Sequence, residues 1–448
     1  MRNITSGNGT TGATAAMACD VLVIGGGPAG STAAALLAER GRSVVLLEKD
    51  AHPRFHIGES LLPQNLAVFE RLGLLDEIAK LGVYKPGAEF VSDAHGGKRV
   101  VFDFSTGIDQ RYTYSFQVRR AEFDALLFDN AKRKGAAAHE NVRVVDVQFA
   151  PAGGDRRSLV TAEDGAGGGQ RQWAPRFVID ASGRDTFFAG RSGEKTADKN
   201  NSTAAVFAHF RNVARRSGRE EGNISVHLFD QGWCWMIPLP DDTMSIGLVS
   251  NPDFFKARKA DVKALFLDTL AATPSIAARM TDAELISPVT STGNYSYHSS
   301  SMVGDGYILI GDAFAFIDPI FSSGVLLAMT GAVLGADAVE AWLTDPKSAE
   351  PLFREFDRRV RYALDSLSWL IYRINTPVLR DMFMEPQNRF RMREGLVSLL
   401  AGNVHAPKGL TLPVLAFKTA YYFLSAARRL GFRLGSGGLS KSAPASAT

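Results

Sequence analysis

The chain has 448 residues, with 50 Lys and Arg against 47 Asp and Glu, giving a formal charge of +3. So even a balance gives no reason to invoke nucleic acid, and the length permits two intertwined domains around a large core. Two cysteines, Cys19 and Cys234, argue against a disulfide framework or a cysteine-ligated zinc site, so no metal is expected and a reducing cytoplasm is the natural compartment.

Residues 1–18 are rich in Ser, Thr, Gly and Asn and lack an apolar centre. They are expected to form a disordered arm rather than a signal peptide. Residues 20–24 are a short apolar run with β-branched members, the pattern of a buried parallel strand. Gly25-Gly26-Gly27-Pro28-Ala29-Gly30 follows at once, and 31–40 is Ala and Leu rich, hence helical. Residues 43–47 read as a second strand closed by Glu48, eighteen residues after Gly30. Strand, glycine loop, helix, strand and acid in that order predict a dinucleotide site. Gly25, Gly27 and Gly30 let backbone approach a pyrophosphate at a helix N-terminus, and Glu48 is placed for ribose hydroxyls.

Further along, 176–184 and 306–313 are two more strands that end in acid and glycine. A nicotinamide dinucleotide does not need such distant returns, whereas an extended FAD does. Asp312 is then a candidate for a ribityl hydroxyl, and the helix expected after Gly324 can face the flavin ring. In Gly232-Trp233-Cys234-Trp235-Met236-Ile237-Pro238 the two indoles fall on one side of an extended segment. Pro240-Asp241-Asp242-Thr243 signals a turn and 244–249 a return strand. Such a hairpin can be a rigid cavity wall or simply a packed sheet.

Residues 331–435 read mostly as helices, over 332–343, 353–374 and 410–434, the last carrying Lys418, Arg428, Arg429 and Arg433. A basic amphipathic helix can lie on a membrane or dock an acidic partner, but more often packs on its own domain. No uninterrupted apolar stretch is expected to span a bilayer. Residues 436–448 are expected to be a disordered tail.

Four segments resemble the flavin-dependent halogenases, in particular their phenol and pyrrole subgroup within the FAD monooxygenases. Trp233-Cys234-Trp235-Met236-Ile237-Pro238 is similar to the family's W-x-W-x-I-P. Phe316-Ile317-Asp318-Pro319-Ile320-Phe321-Ser322-Ser323-Gly324 is similar to its F-x-x-P-x-x-S-x-G. Gly58-Glu59-Ser60-Leu61-Leu62-Pro63 resembles a stretch that also occurs in relatives that do not halogenate. Tyr84-Lys85-Pro86-Gly87 resembles the segment holding the family's catalytic lysine.

The resemblance implies a p-hydroxybenzoate-hydroxylase-like α/β fold. A Rossmann-like FAD-binding domain would span 19–345, with a mixed β-sheet domain interleaved at about 85–120 and 195–300 and a helical region over 346–435. It implies that reduced FAD and oxygen turn chloride or bromide into hypohalous acid, which passes along a tunnel to Lys85. Trp233, Trp235, Ile237, Pro238, Phe316, Pro319 and Phe321 would line that path and keep substrate from the flavin. Ser323 and Gly324 would hold the halide, Val325 would touch the flavin ring, and Arg54 and Arg120 would serve the phosphate side. Position 321 is phenylalanine where the tryptophan-specific subgroup has glutamate, which favours a phenolic or pyrrolic substrate, free or tethered to an acyl or peptidyl carrier protein. No general base is named by the motifs: Glu59 and Asp318 are the carboxylates at hand, and Glu59 can equally be structural. With no nicotinamide domain evident, a separate NAD(P)H flavin reductase is the expected partner. An aromatic hydroxylase and a geranylgeranyl-reductase-like enzyme are the alternatives on the same fold.

Overall fold

Val21, Leu22 and Val23 are fully buried, and the strand that holds them, Met17–Ile24, is covered on both faces. It lies at the centre of a five-stranded parallel array. Gln170–Asp180 and then Tyr307–Leu309 flank it on one side, Val44–Leu47 and then Ala137–His139 on the other. Val142–Gln148 and Leu159–Asp164 form an antiparallel extension onto Gln170–Asp180. The computed structural model describes residues 16–150, 157–165, 167–198, 203–257, 261–404, 409–435 and 438–441. Its first strand begins at Met17, so the expected arm is shortened: Met17 and Ala18 pair with Trp173 and Ala174 as backbone, whatever their side chains.

The helix Pro28–Glu39 starts on Pro28, where a missing N–H costs nothing, and is buried from Pro28 to Ala38. Gly324–Thr344 packs beside it, with Met329, Ala332 and Ala336 in their shared core. The helix expected after Gly324, with an amphipathic stretch over 332–343, runs for 21 residues. By length and composition alone this helix could cross a membrane, but 56% of its most apolar stretch is buried inside the fold. Its small residues serve close packing instead: a Cβ at Gly335 would stand 2.8 Å from Ile308 Cδ1.

A second sheet runs in the order Glu284–Leu285, Thr203–Arg211, Met244–Ser250, Gly232–Pro238, Ile224–Phe229, Gly87–Ser92, Lys98–Asp103. It is mixed, because Ile224–Phe229 and Gly87–Ser92 run parallel while the rest alternate. The outer parts of the two tracts assigned to it belong elsewhere. Val83–Lys85 pairs with Ser115–Gln117 as a ribbon, and Lys195–Ala197 joins Tyr297–Ser299 and Ala315–Phe316. Asp241 and Asp242 both have positive φ, 56° and 52°, the geometry of a two-residue hairpin turn that Asp tolerates.

The first C-terminal helix begins about two turns earlier than its periodicity suggests. Pro346–Ile371 starts where the Asp345 side chain accepts from the Lys347 N–H (3.1 Å), with proline at the first position. The last helix, Thr411–Arg429, buries Phe417 and Tyr421 in the core beneath the second sheet. Its Arg428 pairs with Asp381 (2.9 Å) and Lys418 lies over the Trp369 ring. The basic helix therefore packs on its own chain. Two expectations for the terminus change: Phe432–Gly435 and Gly438–Lys441 pair as a hairpin. The helical region stops before 432, and the tail keeps backbone pairing as far as Lys441, because alternating apolar residues survive among its glycines and serines.

Candidate active site

A cavity of about 650 Å³ lies between the two sheets, lined by Gly25, Glu48 and Arg54 from the segment after the first strand and by Trp233, Trp235 and Ile237 from the second sheet. Gly25 has φ +100°, and a Cβ there would stand 2.4 Å from the Ala181 carbonyl oxygen. Gly27 precedes the helix and faces open space, its nearest neighbour being Arg54 Nη2 at 3.8 Å. Gly30 does not reach the cavity. A Cβ on it would sit 1.9 Å from the Gly25 oxygen, so it packs helix against loop rather than meeting a ligand.

Glu48 holds the loop. Its carboxylate accepts from the Gly26 N–H (2.7 Å) and the Asp50 N–H (3.0 Å), and meets Arg54 at 3.2 Å. Arg54 and Arg120 share a buried carboxylate that the sequence did not single out. Asp124 accepts from Arg120 Nε (2.8 Å) and Nη2 (2.9 Å) and from Arg54 Nη1 (3.3 Å). An Arg–x₃–Asp pair on one helix face, Arg120–Arg133, was its only sequence signal. Burial works against ionisation of Asp124, yet Arg120, with His56 and Arg54, holds it below the usual carboxylate range. The two guanidiniums face the cavity as fixed cations. Asp312 also lines it, and burial pushes its carboxyl up to about 6.

The neighbouring helix that also reaches the cavity begins with an unusual backbone. Asp318 caps the turn Pro319–Phe321, Ser322 has φ +57°, and Gly324–Thr344 follows. A left-handed residue followed by a right-handed one turns successive N–H groups toward one point, and the helix dipole adds to them. Ser322, Gly324 and Val325 line the cavity there, and no atom stands within 4 Å of where a Gly324 Cβ would be. Ser323 is fully buried beside it. It is not a side-chain cap as its type suggests; its Oγ has no partner among the described residues.

Strand alternation sends Cys234 and Met236 into one core and Trp233, Trp235 and Ile237 toward the cavity. The two indoles lie 5.8 Å apart, and Trp235 Nε1 donates to Ser245 Oγ (3.1 Å). Phe316 and Pro319 also line the space; Pro238 and Phe321 do not. Pro238 ends its strand in register with Met244, and Phe321 turns into an aromatic core with Phe90 and Phe383, rings 6.4 and 6.2 Å away.

Lys85 is 1% exposed. Its Nζ donates to Ser60 Oγ and to the Leu61 carbonyl, each at 2.8 Å, and lies 5.5 Å from the centre of the Phe104 ring. Both acceptors are neutral, so burial pushes the ammonium down to about 7. Lys85 itself stands behind the cavity wall, and Ser60, which holds it, is part of that wall. Lys98, the next lysine along the chain, is tied to Glu385 near the surface.

A glycine cradle, two cavity-facing arginines and a second, open helix start fit the phosphates and ring of a flavin dinucleotide, and together with the two-sheet fold they define an FAD-dependent oxidoreductase. Residues 20–112 and 106–376 match the family described as tryptophan halogenase, and the chain belongs to that family of FAD- and halide-using halogenating enzymes. It is 35% identical over 325 residues to a tryptophan 2-halogenase of Chondromyces crocatus, covering 72% of this chain and 61% of that protein. It is 29% identical over 421 residues to a 1H-pyrrole-2-carbonyl-[peptidyl-carrier protein] chlorinase of Pseudomonas fluorescens, covering 87% of this chain and 90% of the other. Among solved structures, a Cytophaga hutchinsonii flavoprotein/dehydrogenase aligns with TM-score 0.82 at 29% identity, over 92% of this chain and all of the other. The myxobacterial chondrochloren halogenase CndH aligns with TM-score 0.74 at 31% identity, over 91% and 98%.

Proposed function

We propose that this chain chlorinates or brominates an electron-rich aromatic substrate of the phenol or pyrrole type, with reduced FAD supplied by a separate NAD(P)H flavin reductase. The observation that carries the reading is the buried Lys85 ammonium, held only by neutral oxygens behind a cavity wall that also carries paired indoles. Phe321, in the place where the tryptophan-specific subgroup has glutamate, supports a substrate that needs less activation than indole. The similar chlorinase that acts on a carrier-bound pyrrole supports a tethered substrate as one form of delivery.

Bound reduced FAD would activate oxygen, the oxidant that turns halide into hypohalous acid. The chain's own residues do the rest. Arg54 and Arg120 fix the phosphates, and Glu48 holds the loop N–H groups in place. The N–H groups at Ser323 and Gly324 offer a halide a dry positive end. Trp233 and Trp235 keep an aromatic ring from the flavin while leaving room for a small oxidant. Lys85 donates a hydrogen bond to that oxidant and orients its halogen.

The test is an assay with reduced FAD, oxygen and bromide on simple phenols and on a pyrrole-2-carbonyl thioester. Brominated product that vanishes in Lys85→Ala, with FAD still bound, is the expected result. Hydroxylated product formed without halide would make the chain an oxygenase.

A further inference from the structure

Glu59 is the strongest feature the reading above leaves unused. It is 2% exposed, lies in the cavity wall next to Ser60, and points one oxygen at nothing: Oε2 has no partner among the described residues. Leaving a buried carboxylate oxygen unpaired costs stability. The other oxygen, Oε1, lies 2.8 Å from His209 Nε2. His209 is on Thr203–Arg211, and its neighbour two residues earlier, Phe207, packs 6.0 Å from the Trp235 ring. Phe55 lies across both, 6.0 Å from Phe207 and 5.9 Å from His209. The carboxylate thus stands on the indole side of the cavity. It is fixed from both ends: the Glu59 carbonyl accepts from the Val118 N–H (2.8 Å), and Ser60 bridges to Gln117.

The geometry points to Glu59 as the general base of the halogenation, with His209 as its positioning residue. This deepens the proposed function and rests on it. As the ring attacks hypohalous acid, Glu59 takes the phenol O–H or pyrrole N–H proton. The ring's electron pair forms the C–X bond and the O–X bond breaks. The departing hydroxide takes a proton from the Lys85 ammonium and leaves as water. The ring then loses its C–H proton to water and regains the proton on oxygen or nitrogen. Glu59 gives up its proton and Lys85 recovers one through solvent, so the net change is Ar–H + HOX → Ar–X + H₂O. One peptide segment therefore serves both proton steps, Ser60 holding the acid while Glu59 is the base.

The experiment compares wild type, Glu59→Gln, Glu59→Asp and His209→Gln on phenols of graded acidity at fixed pH, with FAD absorbance after desalting as the check on folding. Glu59→Gln is expected to lower kcat by about a hundredfold on weakly acidic phenols. The loss should shrink to within about threefold on phenols already ionised at that pH, because their proton is gone. Glu59→Asp should recover part of the rate, and His209→Gln should fall between. A Glu59→Gln loss that is the same for every phenol overturns the proposal, as does no loss at all. If Glu59→Gln does not hold FAD, the wild type decides. Its rate should level off below the phenol pKa, whereas a rate that falls about tenfold per pH unit with the ionised fraction overturns the base. A wild type that halogenates no phenol or pyrrole overturns the halogenase reading first, which keeps the two failures apart.

Discussion

The Trp235 indole rests on the bare α-carbon of Gly247, its register partner on the next strand: a Cβ at 247 would lie 2.1 Å from Trp235 Cζ2. The position of the cavity wall is thus set by a missing side chain one strand away. Gly247→Ala should push the indole toward the cavity and cost about 1–3 kcal/mol by overpacking. FAD binding should survive, since Gly247 itself does not line the cavity, while halogenated product per FAD oxidised should fall. Denaturant melts and product-to-oxygen ratios check the two halves of this outcome.

Lys85→Met should leave FAD bound and lower halogenation by at least about a hundredfold. With the wild-type ammonium held at about 7, halogenation should decline as pH rises above that value. Stability should move the other way. The folded state sheds the Lys85 proton near pH 7 and the unfolded chain only near 10.5, so between those values unfolding takes up a proton and stability gains with pH. That gain should disappear in Lys85→Met, as thermal melts at pH 7 and 9 would reveal.

Asp124→Asn should strip the carboxylate from two arginines at once. Breaking a buried pair by removing one partner costs about 3–5 kcal/mol, and FAD affinity should drop with it. Because Asp124 is held below the usual carboxylate range, its contribution is present above its ordinary pKa and lost as pH falls through the depressed folded value. The gap between wild type and Asp124→Asn in urea melts should therefore be wide at pH 7 and narrow in strong acid.

Gly324→Ala places a methyl where the protein offers no obstacle, so stability should change little. The methyl would point at the spot assigned to halide and flavin. The expected outcome is a bromide KM raised about tenfold, which is about 1.4 kcal/mol, against an unchanged melting temperature.

The nucleotide half of the site is readable from residues 20–48, where strand, loop, helix and acid are contiguous and each constraint is local. The W-x-W tract is readable for the same reason, because a period of two decides which side chains share a face. What the sequence hides lies between distant segments. Asp124 joins Arg54 to Arg120, Glu59 meets His209 150 positions away, and neither contact has a spacing rule. Phe321 shows the converse: its place in a motif suggested the cavity, but a left-handed Ser322 directs the chain so that the ring enters the neighbouring core. The hairpin beyond Phe432 was missed because Gly and Ser dominate its composition while pairing is a backbone property.

Both thiols of the chain sit where a corrosive product would do them least harm. Hypohalous acid destroys sulfur faster than it modifies most side chains, and thiolates fastest of all. Cys234 lies between the two indoles in sequence yet faces the reverse side of the strand, fully buried, and burial keeps it firmly protonated. Cys19 is likewise covered and pushed up to about 12. Among the described residues, no cysteine, methionine or tyrosine lines the cavity. The strand that turns two indoles to the reaction chamber thus turns its thiol away from it.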